Sequence, residues 1–472
     1  MKVMGRMLSL NGGDGIKAKL RPEAAVAAPP AAKARGLRQV VASRLEDFRW
    51  LSSDVDSNPA RRIGFLFGLA FLFARFSYVG EGVGAIFGVP IYANYWTALP
   101  AIVAVILCGG LARSLGHRGA ILIMLFAFWM VLAVPTSFWP GGSFARVKGY
   151  LQFELPMLII LGGLAANWDD VRKIFATLAW SGISVLLLTR VMGKVSGSRL
   201  SLDFDGTIAN SNDLAAHLLL LLPFFVFMVI DKKRFFFIRL GFVAAIGYAL
   251  YVILGTASRG ALVALACGGV FVMLRASARQ KMALLALLPL LAVGAVALLP
   301  ERTLGRLGVL GGKQDEEAEE SGNSRSYLFE QSIIFTLKHP LLGVGPSQFS
   351  NYEGNTRVKE GQRGNWHETH CSWTQVSSEC GIPALIFYSL AIFLPFLQVN
   401  RAYKVTRQMK WTDGSNACFC FLLAMVLYLV AITFLSTAYT YRQPAMIAIG
   451  FVMSMSIGRI VSAQAARRRQ AA

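Results

Sequence analysis

Two of the chain's five histidines stand three residues apart in His367-Glu368-Thr369-His370, inside a polar stretch that runs from 338 to 380 and turns apolar at Gly381. A histidine just outside a membrane helix titrates near neutral pH and can accept or pass a proton. Two histidines with a glutamate between them could also face one metal ion. The HExxH spacing is absent, however, and no third ligand is evident, whereas zinc sites take three or four ligands. No metal is therefore assigned. His370 is the stronger candidate for acid–base work. Trp373, Val376 and Glu379 follow it and lead into the apolar run, so it stands where the chain enters the membrane. His367 reads as a polar loop residue that could share the role.

A second candidate set is cationic: Arg190, Arg199 and Arg259. Guanidinium groups stay charged and grip phosphate oxygens two at a time. Their alternative partners are Asp203, Asp205 and the acidic run Asp315, Glu316, Glu317, Glu319 and Glu320. Which of these applies depends on the elements that hold the cations.

The elements are set by an apolar composition. Of 472 residues, 55% are hydrophobic and only 15% charged, with mean hydropathy +0.52. Soluble domains carry roughly 25% charged residues. The net charge of +21 could suggest nucleic acid, but the excess lies in the two tails and in short breaks between apolar runs. That distribution fits anionic lipid head groups and topology control. The six cysteines form no disulfide framework: Cys108, Cys267, Cys418 and Cys420 lie in or beside apolar runs. If Cys371 and Cys380 share a helix, about 13 Å of rise separates them, too far for a bridge.

The expected fold is an all-α polytopic membrane protein of about twelve transmembrane helices, with one long outer loop carrying amphipathic helices. The apolar runs fall near 63–79, 95–111, 120–138, 149–166, 171–192, 214–230, 235–254, 261–274, 282–299, 381–399, 417–435 and 444–460. Most approach the length that crosses ~30 Å of hydrocarbon. The expected organisation is a basic tail over 1–62, spans one to nine over 63–299, the outer loop over 300–380, spans ten to twelve over 381–461, and a basic tail over 462–472. Leu37, Val41, Leu45 and Phe48 recur at helical spacing in the first tail, with arginines between them. This suggests an interfacial helix.

Lysines and arginines in the short breaks set the orientation. With the first tail inside, the inner breaks carry Arg113 and Arg118, Arg172 and Lys173, Lys232 to Arg234, Arg275 and Arg279, and Arg401 to Lys410. Both tails then lie in the cytoplasm. Arg190, Arg199 and Arg259 fall on the outer side against the usual bias, which an anionic ligand such as a lipid diphosphate would explain. In the outer loop, 311–323 reads as a solvated acidic segment. An amphipathic helix is predicted over 325–338, ending at His339-Pro340, and Gly343 and Gly345 mark a tight backbone approach.

The stretch from His370 resembles bacterial O-antigen ligases and Wzy-type polysaccharide polymerases, which show a histidine, then Glu-x-Gly, then a membrane helix. Here these are His370, Glu379 and Gly381. HPLLGVG at 339–345 is similar to the family's histidine–proline–glycine element, with Arg325 at the start of the preceding helix. Ser258-Arg259-Gly260 resembles the family's Ser-Arg-Gly. Arg199-Leu200 and the run Asn210-Ser211-Asn212-Asp213 are similar to the polar pattern before a family helix. The resemblance covers about 186–390. Cys371 departs from it, since an asparagine often follows the histidine in the family.

The resemblance implies glycan transfer from undecaprenyl diphosphate to a sugar hydroxyl at the periplasmic face of the bacterial inner membrane. The acceptor would be lipid A–core or a growing polysaccharide. His370 and Arg259 would be catalytic. Arg199, Arg259, Arg190 and Arg325 would bind the diphosphate, with His367, Glu379, Asn210 and Asn212 supporting. No cofactor is implied, because the donor already carries the bond energy. A polymerase joining repeat units is the alternative within the class. A lipid-linked sugar transporter is the alternative outside it; that reading asks for ionisable residues deep in several spans, for which Glu154 and His217 are candidates.

Overall fold

A computed structural model describes residues 58–89, 91–203, 208, 210–276, 281–282, 289, 293–294, 296–297, 301–306, 316–364 and 366–470. The expected helix over 34–52 lies outside them, as does most of the 282–299 run.

The described chain is helical almost throughout. α1 (Pro59–Ser77) starts at Asn58, whose side chain accepts the Ala60 amide at 2.9 Å, and Pro59 fills the first helical position. A helix start leaves amides without partners, and this pairing satisfies one of them. α2 (Val79–Phe87) follows across a bend of 62°. After α3 (Ala93–Leu107) and α4 (Gly110–Leu115), His117 caps α5 (Arg118–Ala133) by accepting the Ala120 amide. α6 (Pro140–Gly149) runs through a π-helical turn, Tyr150–Glu154, into α7 (Pro156–Leu164). α8 (Trp168–Met192) opens on a reciprocal box between Asn167 and Asp170.

α9 (Ser211–Ile230), α10 (Phe236–Gly255), α11 (Arg259–Arg275), α15 (Ser372–Gln408), α16 (Thr412–Ala431) and α17 (Arg442–Gln470) complete the bundle. Between α11 and α15 come α12 (Glu301–Arg306), α13 (Glu316–Lys338) and α14 (Phe349–Lys359).

Eleven of the twelve expected runs coincide with helices. Among the described residues seven helices are long and apolar enough to cross a membrane, or eight if α1 and α2 form one bent span. α3 and α5 are apolar but shorter. The chain is thus an all-α polytopic membrane protein, and helix length and composition do not reach twelve spans. Two boundaries move. The acidic residues from Glu316 onward begin α13 instead of lying in an irregular segment. α15 starts at Ser372, ahead of the expected 381, and takes a non-helical step at Gly381.

One element has no counterpart in the sequence reading. Gly193–Ser196 and Arg199–Leu202 form a two-stranded antiparallel hairpin, β1–β2. Its turn is fastened to α12, where Thr303 Oγ1 donates to the Ser198 carbonyl at 3.1 Å.

The two ends of the bundle differ in kind. At one end Arg61 pairs with Asp170 at 2.7 Å, and Arg172 bridges Asp231 and Asp413 at 2.5 Å each. The basic breaks counted to one side gather there. Arg113 donates to the Gly163 carbonyl and Arg275 donates to Asn400. α9 carries Asn212 at its start and reaches Asp231 at its close, about 30 Å along its axis. The candidate site lies at the Asn212 end.

Candidate active site

Two motifs quoted apart in the sequence meet as one packed unit. The 339–345 loop lies backbone to backbone on the first turns of α15. The Val344 amide donates to the Ser378 carbonyl at 2.8 Å, Gly345 to Glu379 at 2.9 Å, and Ile382 back to Pro340 at 2.7 Å. The glycines are what permit this. Gly345 has φ +111°, and a Cβ there would lie 2.2 Å from that of Ser137. Gly381 has φ +84°, and a Cβ would lie 2.1 Å from the Leu341 carbonyl oxygen. Side chains are strained at such φ and blocked by such neighbours. The Glu379 carboxylate is buried and accepts the Ser347 amide at 2.8 Å and the Phe349 amide at 3.3 Å. It therefore caps the start of α14 by taking up amides that a helix start leaves without partners. Below the loop Leu328, Phe335, Val344 and Phe349 form a small core of their own.

This anchoring fixes the entry to α15. His370 sits two residues before the helix with φ +54°, a conformation that costs on the order of 1 kcal/mol or more outside glycine. The Ser436 hydroxyl holds it there, accepting the His370 amide at 2.8 Å and lying 3.1 Å from Thr369 Oγ1. Ser372 Oγ donates to the Leu435 carbonyl at 2.6 Å and accepts the Thr437 amide at 2.9 Å. The backbone of 369–372 is clamped, while the half-buried imidazole makes no hydrogen bond among the described residues. Burial lowers its pKa to about 4, helped by the charges of Arg325 and His367. The ring is thus neutral at pH 7. His367 is exposed. Glu368 is also exposed, yet the protein around it displaces water and pushes its carboxyl up, with the Arg146 charge acting against that.

A narrow cleft opens beside this segment. Asn212 and Ala216 of α9, Ser258 and Gly260 at the head of α11, Arg325 of α13, and Phe434 and Leu435 after α16 line it. Arg199 enters from the hairpin. Its Nη2 donates to Asn212 Oδ1 at 2.6 Å and its Nε to the Thr256 carbonyl at 3.2 Å. Asn210 caps α9 by accepting the Asn212 amide at 2.8 Å, which fixes where Asn212 points. Arg259 is exposed as the first residue of α11. Ala257, two residues before it, has φ +49°.

The expected residues thus divide. Arg199, Asn212, Arg325, His370 and the head of α11 with Arg259 come together. Asn210 and Glu379 act through the backbone elements they cap. Arg190 ends α8 exposed, in the electrostatic range of Tyr248, and no described contact ties it to the cleft.

Sequence reasoning missed the 436–442 segment. Besides Ser436, it supplies Tyr439, whose carbonyl accepts Arg146 Nη2 at 3.2 Å and whose ring lies 5.2 Å from that guanidinium. It also supplies Arg442, fully buried, which donates to the Tyr78 hydroxyl at 3.0 Å. The available signal was a polar, aromatic break, Ser-Thr-Ala-Tyr-Thr-Tyr-Arg, between two apolar runs. Glu154 and His217, the candidates for a transport path, are both engaged. Glu154 pairs with Arg75 at 2.5 Å, and His217 Nε2 lies 2.8 Å from the Phe76 carbonyl.

The fold and site define a polytopic helical membrane protein with an arginine-bearing cleft at one end of its bundle and a histidine within electrostatic reach of it. Residues 244–389 match the family model described as O-antigen ligase, so this segment is similar to that family. The match takes in Arg259, Arg325, His367, His370 and Glu379 and leaves Arg190, Arg199, Asn210 and Asn212 outside it. No curated protein matches the chain.

Proposed function

We propose that this protein transfers a glycan from undecaprenyl diphosphate to a sugar hydroxyl at the periplasmic face of the bacterial inner membrane, as an O-antigen ligase. The observation that carries the reading is that Arg325 lines the cleft with Asn212 and the head of α11 while its charge acts on His370. A cation for a leaving group and a neutral base for an incoming hydroxyl are thus within electrostatic reach of each other.

Arg199, Arg259 and Arg325 bind the diphosphate and stabilise the charge that grows on it as the glycosidic bond breaks. Aimed donors of this kind are worth ~2.7–4 kcal/mol of barrier each. Arg190 steers the donor from the edge. His370 accepts a hydrogen bond from the acceptor hydroxyl and takes its proton as the new bond forms, with His367 beside it. Asn210, Asn212 and Glu379 hold the elements in place. The diphosphate is already a good leaving group, so the chemistry calls for no metal or cofactor. Both tails face the cytoplasm in this reading.

The test is transfer in proteoliposomes from an undecaprenyl-diphosphate glycan to lipid A–core or to a second lipid-linked glycan. Transfer to lipid A–core that falls at least a hundredfold in His370→Ala and Arg259→Ala supports the ligase. Chain growth on the lipid-linked glycan replaces it with the polymerase. Full activity in both variants removes the site assignment.

A further inference from the structure

A second, larger cavity lies outside both the 244–389 segment and the arginine cleft. It holds about 700 Å³, within the usual range for small-ligand sites. It opens between the end of α1, α2, the approach to α3 and the close of α8. Three tyrosines, Tyr78, Tyr92 and Tyr441, line it together with Glu81, Asn94 and Asp203. Tyrosine offers a flat apolar face and a polar edge. Carboxylate and amide groups accept hydrogen bonds from hydroxyls. Tyr78 and Tyr441 are buried, and Arg75 lies 4.4 Å from the Tyr441 ring, so the open flat face is that of Tyr92. An exposed aromatic face beside such acceptors suits a saccharide ring.

The charge of the cavity sets it apart from the cleft. Its cation Arg75 is bound to Glu154 at 2.5 Å, and its carboxylates are Glu81 and Asp203. Lys194 reaches Asp203 from the hairpin at 3.3 Å. A diphosphate would meet carboxylates here and guanidinium groups in the cleft, so the two ligand halves separate by charge.

The two places share a wall. Tyr441 lines the cavity and donates to the Tyr78 hydroxyl at 2.8 Å, while Ser436 holds the His370 amide. Five residue steps join Tyr441 to Ser436, at most about 18 Å of chain. That distance is within the length of a short oligosaccharide.

The geometry points to this cavity as the binding site for an uncharged saccharide, the acceptor half of the reaction. The role as acceptor site rests on the glycan-transfer reading; the binding of a neutral sugar does not. Native mass spectrometry of the full chain in nanodiscs tests it with maltotriose as the neutral probe, trigalacturonate as the anionic one, and undecaprenyl diphosphate. Maltotriose binds the unaltered protein at least tenfold better than trigalacturonate. Gly84→Trp, which fills the cavity, and Tyr92→Ala, at an exposed position that does not threaten folding, each weaken it at least tenfold. Both leave undecaprenyl diphosphate bound, and Arg199→Ala shows the opposite pattern. The inference is overturned if maltotriose does not bind the unaltered protein, or binds Tyr92→Ala undiminished. Undecaprenyl diphosphate binding that still depends on Arg199 then leaves the transfer reading standing. If maltotriose binds as expected and no transfer occurs, the transfer reading falls alone.

Discussion

The Glu379 carboxylate accepts the amide of Ser347 through one oxygen at 2.8 Å and that of Phe349 through the other at 3.3 Å. A glutamate two residues before the apolar run at Gly381 could be taken for an acid catalyst. Its partners make it the clasp that closes the outer loop on α15. Replacing it with alanine strands two backbone amides, at roughly 1–3 kcal/mol for each buried group left unsatisfied. Glu379→Ala should therefore lower the thermal midpoint of the detergent-solubilised protein and expose 339–349 to protease. Glu379→Gln, which keeps one acceptor oxygen, should retain more of both. Wild-type stability in Glu379→Ala would show that the clasp contributes nothing.

The same clasp sets a prediction for the loop it holds. The Cβ of Gly345→Ala would fall 2.2 Å from that of Ser137, at a φ of +111°. Ser137 Cβ is fixed to its backbone and is not the far end of a flexible side chain, so the loop must lift. Gly345→Ala should lose activity and stability together. Gly361→Ala is the control: it also has positive φ, but nothing lies within 4 Å of the added carbon. The loop argument fails if the two variants behave alike.

The histidine pair separates by surroundings. His370 is half-buried, held in a left-handed conformation and paired through its amide to Ser436, whereas His367 is exposed. His370→Ala should lower kcat by about 10²–10⁴, the usual worth of a general base. His367→Ala should stay within a few-fold. Ser436→Ala should lower kcat less than His370→Ala and leave KM for the donor unchanged, because it only releases the backbone that aims the ring. An equal loss in His367→Ala would move the base.

The long apolar helices were legible because some twenty apolar residues in a row leave the backbone few alternatives to a spanning helix. The histidine and the arginines could be singled out as candidates from residue type and charge bias. The hairpin could not. Gly-Lys-Val-Ser and Arg-Leu-Ser-Leu are four-residue strands, and the first is exposed along its whole length, so no alternation marks it. The early start of α13 was hidden for a related reason. Its first turns are acidic and carry no apolar stripe, while the small core that fixes the helix lies further on, at Leu328 and Phe335. The docking of Gly345 and Gly381 on distant carbonyls is a long-range relation that spacing along the chain does not encode. The 436–442 segment escaped because its hydroxyls and Arg442 look like an ordinary polar break until the partners across the fold are known.

The arginines should differ by position. Arg199 is fixed by Asn212 and the Thr256 carbonyl, so Arg199→Lys keeps the charge but not the forked geometry. It should cost roughly tenfold or more in kcat/KM. Arg199→Ala should cost about 10²–10³, by comparison with lost oxyanion donors. Arg190→Ala, at the edge beside Tyr248, should cost little in kcat. A large kcat loss there would draw Arg190 into the site.

The pH dependence follows from the neighbours of His370. Burial, then Arg325 and His367, hold its pKa near 4 in the free protein. If His370 is the base proposed above, the neutral ring is the active form, so activity should persist as pH falls through 6.5 and be lost only on approach to the depressed pKa. The acid limb of kcat/KM, which reports free enzyme, should therefore lie well below 6.5. A bound diphosphate brings negative charge next to Arg325 and offsets the cation that disfavours imidazolium. The pKa must then rise in the complex, and the acid limb of kcat should sit at higher pH than that of kcat/KM. A stronger base thus appears only when the donor is in place, which guards the acceptor hydroxyl against idle deprotonation. Arg325→Ala removes one depressing charge, so its kcat/KM limb should move upward and the gap between the two limbs should narrow. Rate profiles from pH 3.5 to 8, on protein that keeps its fold over that range, decide the matter. Coincident limbs that do not respond to Arg325→Ala would uncouple the two residues.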